Sequence, residues 1–122
     1  MIEYTIETSL HLLQVRISGS VSLLDLVNFI ANLEKDRQYG PKLSTLFIVD
    51  ADALLSKLVP ESLSRFFRRV EESGGSTAWA IVVSGESHKL TFSAAVESFV
   101  PKRLRLRVFN DELLALHWLQ SN

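Results

Sequence analysis

The chain has no cysteine, which excludes disulfide scaffolds, thiol nucleophiles and thiolate metal sites together. It has no excess of charge. Thirteen Lys and Arg stand against 14 Asp and Glu, a formal net charge of −1, so no bulk field recruits nucleic acid or an anionic membrane. No apolar run approaches the roughly 20 residues that cross a bilayer, and the opening "MIEYTIE" is acidic and alternating, unlike a signal peptide. A bacterial-type cytoplasmic location without membrane insertion is therefore the expectation. Neither G-x-G-x-x-G nor a Walker pattern is present to cradle phosphate. Internal repeats, low-complexity tracts and linkers are also missing, so residues 1–122 are expected to form a single domain.

What is present reads as a globular α/β chain, with 47% apolar and 22% charged residues. Ile2, Tyr4 and Ile6 alternate with Glu3, Thr5 and Glu7, as do Leu13, Val15 and Ile17 with Gln14, Arg16 and Ser18. Such alternation marks strands with one wet face, and the two runs predict a hairpin turning around Thr8–His11. The period then changes. Ser22 and Asp25 form a capping box ahead of Leu23, Leu26, Val27, Ile30 and Leu33, one apolar helical face, with Gly40-Pro41 as the stop.

"STLFIVD" and "TAWAIVVSG" are apolar without alternation, the mark of strands covered on both faces, and residues 45–49 and 78–83 are expected to be the most buried of the sheet. Between them a helix opens at Pro60, turns Leu63, Phe66, Phe67 and Val70 inward, and ends at Gly74-Gly75. A weaker helix over residues 86–101 is closed by Pro101. "LRLRVF" alternates with Arg105 and Arg107 and predicts an outer strand, followed by a last helix capped by Asn110. The order is β-β-α-β-α-β-α-β-α. It predicts a mixed, mostly parallel five-stranded sheet with about four helices and an antiparallel first strand.

The chemistry centres on "IVDADALLSKLVPESL", where an apolar strand ends at Asp50 and Asp52 follows. An acid there is where a response-regulator receiver carries its phosphoacceptor. That chemistry also needs a second acidic pair for a divalent cation and a lysine beyond the last strand. Here the corresponding strand ends read "VRISGSV" and "VFNDE", without either. One carboxylate pair is too few hard oxygen ligands for magnesium, so Asp50 and Asp52 are expected to accept bonds from loop amides.

The other candidates also take the plainer reading. His11, His88 and His117 have no metal-ligand partner at helical spacing. Ser84, Ser87 and His88 fall at a strand-to-helix turn without the G-x-S-x-G elbow, and the two serines read as helix caps. Lys102, Arg103, Arg105 and Arg107 read as a guarded sheet edge rather than a nucleic-acid surface. Arg65, Arg68 and Arg69 read as a solvated helix face, and Trp79 and Trp118 as core. No nucleophile–base pair, metal set or cofactor loop emerges, so no enzyme and no cofactor are expected.

"VSLLDLVNFIANLEKDRQYGPKLSTLFIVDADALLSKLVPESL", with "AWAIVVS" and "LRVFNDELLALHWL", resembles the SpoIIAA-like, STAS-related proteins of bacteria. These are small cytoplasmic α/β domains akin to anti-sigma factor antagonists and to the STAS domains of anion transporters. The resemblance implies a regulatory, protein-binding domain. In the antagonists, a serine at the start of the helix after the central strand is phosphorylated, and a phosphate there adds about two negative charges to the interface. This chain departs at that point. In place of Asp-Ser-Ser-Gly it reads "LVPE", with Val59 and Pro60 near the serine position and Ser56 and Ser62 flanking it; Ser56 is the candidate phosphorylation position.

The expected function is thus non-enzymatic binding of a protein partner, or homodimerisation, through Asp50, Asp52, Leu54, Leu55, Ser56, Leu58, Val59 and Ser62. Leu54, Leu55, Leu58 and Val59 are unusually apolar for a segment between a strand and a helix. The rival reading is a small-ligand module holding a lipid or an anion, that is, a small apolar or anionic ligand. An apolar cavity of a few hundred cubic ångströms near Asp50 would favour it.

Overall fold

The two stretches without polar alternation become the middle of the sheet. In the computed structural model, β4 (Ser44–Val49) and β6 (Ala78–Val83) pair side by side in parallel. The structure describes residues 1–40, 43–55, 62, 65–66, 68–69, 78–84 and 105–121, and of Leu55 the backbone only. Every residue of β6 is buried, as is β4 from Thr45 onward. The expected burial of residues 45–49 and 78–83 holds.

β1 (Ile2–Glu7), β2 (Leu12–Ile17) and β7 (Arg105–Phe109) complete a five-stranded sheet in the order β1-β2-β4-β6-β7. β1 runs antiparallel to β2, and the remaining three pairings are parallel. A 3₁₀ turn over Thr8–Leu10 closes the hairpin, with His11 in the left-handed region at φ 50°. β7 lies at the edge as expected, with Arg105 and Arg107 exposed. A second, two-stranded parallel sheet pairs β3 (Ser20–Val21) with β5 (Leu54–Leu55). Nothing in the periodicity announced it, because two-residue strands carry no pattern.

Alternation along each strand divides the core into two layers. On one face Leu13, Val15, Ile17, Phe47, Trp79 and Ile81 pack against Leu26, Phe29 and Leu33 of α1 (Leu23–Lys35), together with Phe66. Phe47 stacks on Trp79 with ring centroids 5.5 Å apart, and Phe66 meets Trp79 edge-on at 5.8 Å. Such pairs contribute about 1 kcal/mol each beyond their buried area. On the opposite face Leu46, Ile48, Ala78, Ala80 and Val82 lie under Ala115 and Leu119 of α2 (Glu112–Gln120).

Three details differ from the sequence reading. Val27 is 52% exposed and Phe29 is buried in its place. The stripe centres on Leu26, Ile30 and Leu33, so Val27, one step of about 100° beyond Leu26, rotates out of it. The helix stops at Lys35 rather than at Gly40-Pro41. Asp36 ends it, accepting a bond from the Gln38 amide at 2.9 Å and from the Tyr4 hydroxyl at 2.8 Å. These bonds hold the Asp36 carboxyl below its ordinary range, the Gln38 amide first, and the same contact pushes the Tyr4 hydroxyl up. Last, α2 is capped by Asp111, not Asn110. Its carboxylate accepts from the amides of Leu113 at 2.8 Å and Leu114 at 3.2 Å.

The capping box of Ser22 and Asp25 forms as expected. Ser62, Arg65, Phe66, Arg68 and Arg69 are helical, Phe66 inward and the three arginines outward, with Arg69 paired to Glu34 of α1. Leu63, Phe67, Val70, the residue pair Ser87 and His88, and the helix expected over 86–101 lie outside the described residues.

The cap assignment has a measurable consequence. Asp111→Ala is expected to lower unfolding stability by about 1 kcal/mol, and Asn110→Ala by less than about 0.5 kcal/mol, in urea denaturation followed by circular dichroism. Equal losses would return the cap to Asn110.

Candidate functional site

Parallel pairing gathers the carboxyl ends of β2, β4, β6 and β7 at one end of the sheet, the end where open α/β sheets take ligands. The stretch after β4 lies there, and its path is fixed by backbone bonds. The Asp50 amide donates to the Ile17 carbonyl at 2.9 Å, and the Ala53 amide closes a turn onto the Asp50 carbonyl at 3.0 Å. Ala53 is 1% exposed and anchors the turn in the core. The Leu54 amide then reaches the Gly19 carbonyl at 2.8 Å, where the small β3–β5 sheet begins. Gly19 holds φ +63° with open space around the missing Cβ. The left-handed backbone, not crowding, is what calls for glycine here.

The two acids have different partners. Asp52 accepts from the Gly19 amide at 3.4 Å, the loop-amide role expected of both. For Asp50 no such bond is present among the described residues, and its carboxylate meets Arg16 Nη1 at 3.1 Å. Arg16 stands opposite Ile48 in the parallel register, and Asp50 is the next residue of that same face beyond Ile48. Arg16 Nη2 also lies 3.9 Å from Glu112 at the start of α2. With side chains 30–50% exposed across this trio, each pair stabilises by at most about 1 kcal/mol.

Of the remaining predicted residues, Leu54 is 70% exposed on a backbone held by the ladder. Leu55 has its backbone in β5, and Ser62 is half-buried on a helix. Ser56, Leu58 and Val59 lie outside the described residues. The structure therefore brings Asp50, Asp52 and Leu54 together around Gly19 and adds Arg16, which sequence reading left as an ordinary wet-face residue. The available signal was its place near the end of a strand bound to lie beside the Asp50 strand. Among the described residues no group of three or more His, Asp or Glu is arranged to hold a metal ion.

A second concavity lies away from this loop. It is a groove of about 540 Å³ between β7 and the flank of α2, bounded by Arg107, Phe109, Leu114, His117 and Trp118. No residue of the 50–55 stretch lines it. Phe109 and Trp118 pair across its floor with centroids 5.6 Å apart, and the Arg107 guanidinium lies 5.3 Å from the Phe109 ring centre.

No family model matches the chain, and no curated protein matches it. Among solved structures it is similar to an uncharacterized protein of the DUF3478 family with a SpoIIAA-like fold from Shewanella loihica PV-4. The TM-score is 0.61 with 21% sequence identity, covering 97% of this chain and 93% of that one. The chain has a SpoIIAA-like fold. At this identity the likeness is one of fold, and the expected resemblance holds at that level.

Asp50 in this setting answers to a guanidinium rather than to a cation cluster. Incubation with acetyl phosphate and magnesium is expected to leave the intact mass unchanged. A phosphoryl adduct mapped to Asp50 by peptide mass spectrometry would restore the receiver reading.

Proposed function

We propose that this SpoIIAA-like chain is a cytoplasmic, non-enzymatic regulatory module that binds a partner protein, or a second copy of itself, through the surface around residues 50–62. One observation carries the reading. Leu54 is 70% exposed although its backbone is pinned by the Gly19 bond and the β3–β5 ladder. A large apolar side chain held outward on a fixed backbone has its ordering cost already met, and that favours association. Leu24 and Val27 of α1, the helix that follows β3, add exposures of 67% and 52%. Apolar surface of this kind marks contact sites on soluble proteins, and two-fold closure is the commonest assembly. The non-enzymatic part rests on the sequence, which offers no nucleophile–base pair or cofactor loop. Ser56 is the position where a phosphate would place about two negative charges on the same surface.

A second reading, a small-ligand module, is favoured by a separate observation: the groove beside α2, whose 540 Å³ falls in the range of small-molecule sites.

The loop reading is tested by sedimentation velocity over a concentration series. The wild type is expected to self-associate, and Leu54→Asp to lower the associated fraction while the far-UV spectrum stays native. A wild type that sediments as a monomer throughout would remove homodimerisation through this loop.

A further inference from the structure

The geometry points to a small aryl carboxylate as the occupant of the groove between β7 and α2; this rests on the small-ligand reading and names its ligand class. Alternation along β7 places Arg107 and Phe109 on the face that α2 covers, while Leu106 and Val108 join the opposite layer. On α2, Ala115 and Leu119 point into the sheet, which turns Leu114 and Trp118 toward β7. The groove is the gap between these two rows. Leu114 is 59% exposed in it, and the Phe109–Trp118 pair supplies two aromatic surfaces. A flat ring covers such a floor better than a branched chain does, because offset or edge contacts with both rings are open to it.

Charge selects the other end of the ligand. Among the described residues the lining contains one permanent cation, Arg107, and no carboxylate. Arg107 has no ion pair among the described residues. It lies over Phe109, with the guanidinium carbon 5.3 Å from the ring centre. A guanidinium offers a carboxylate two N–H groups side by side. An edge strand guarded against aggregation accounts for the arginine alone. It does not account for Leu114 and Trp118 facing the arginine across an aromatic floor.

The test uses the whole ¹⁵N-labelled chain and 4-phenylbutyrate, with 4-phenylbutyramide as the neutral probe of the same shape. The two tryptophans serve as reporters on opposite faces. Trp118 lines the groove, and Trp79 is 1% exposed in the other layer. The acid is expected to shift the Trp118 indole N–H resonance saturably and to leave that of Trp79 nearly in place, with assignments from Trp118→Phe. The amide, and the acid on Arg107→Gln, are expected to bind about tenfold more weakly, as befits loss of a charge-assisted pair. Leu54→Asp should bind as the wild type does. Equal affinity for acid and amide, unaffected by Arg107→Gln, would overturn the carboxylate assignment and leave the small-ligand reading standing. No saturable shift of Trp118 with either probe would overturn both.

Discussion

Everything else in this fold follows from two strands that have no wet face. β4 and β6 bury side chains on both sides, so each surface of the sheet must be covered by another element. Parallel pairing satisfies this through crossovers that lay helices on one face. Among the described residues, the other face is covered by the C-terminal helix. A helix is about 10 Å wide, and strands stand about 4.8 Å apart, so one helix covers roughly two of the five strands. α2 spends that cover on Leu46, Ile48, Ala80 and Val82 of β4 and β6. Both flanks of this face are then left without helical cover among the described residues. Toward β2 the sheet carries Gln14 and Arg16, and toward the opposite edge it carries Arg107 and Phe109. The Arg16–Asp50 pair and the aromatic groove are the two ways this chain finishes the uncovered flanks.

Most of this framework was legible in the residues. The five long strands, the hairpin turn, the Ser22 capping box and the guarded edge at β7 follow from alternation and caps, which are local signals. The misses at Val27 and at the two helix ends differ in kind. Asn110 and Asp111 are both good caps, and only the observed backbone chooses between them. The end of α1 is bonded to Tyr4, 32 positions earlier in the chain. Asp36 accepts both a local bond from the Gln38 amide and a distant one from Tyr4, and only the first lies within a window of local sequence.

The candidate site shows the same division more sharply. That Asp50 closes a buried strand and that Asp52 bonds a loop amide are matters of local chain chemistry. That Asp50 faces Arg16 depends on β2 and β4 being neighbours and parallel, a register that places Arg16 opposite Ile48. The β3–β5 pairing is hidden for a similar reason, since two residues on each side become a ladder only when the Gly19 carbonyl meets the Leu54 amide. This pairing changes the meaning of the apolar loop. Leu54 is not a core residue that strayed from a strand pattern. It belongs to a fixed ladder that points it into solvent.

The loop is linked through Arg16 to the same helix that borders the groove, which raises the question of whether they communicate. Glu112, in the first turn of α2, faces Arg16 at 3.9 Å, and Arg16 holds Asp50. Two turns or less along the same helix, Leu114 and Trp118 line the groove. Coupling through this route is bounded by what the ion pairs are worth. Partly exposed pairs of this kind contribute at most about 1 kcal/mol, so occupancy of one site alters affinity at the other by no more than about fivefold. A stronger link needs a second arrangement of α2, and its anchors argue against one. Ala115 and Leu119 are buried over the alanines of β6, and packed contacts of that kind move between discrete states rather than by degrees. The two surfaces are therefore neighbours on one frame with different chemistry: an exposed apolar side chain at Leu54, a cation and aromatic rings at Arg107, Phe109 and Trp118.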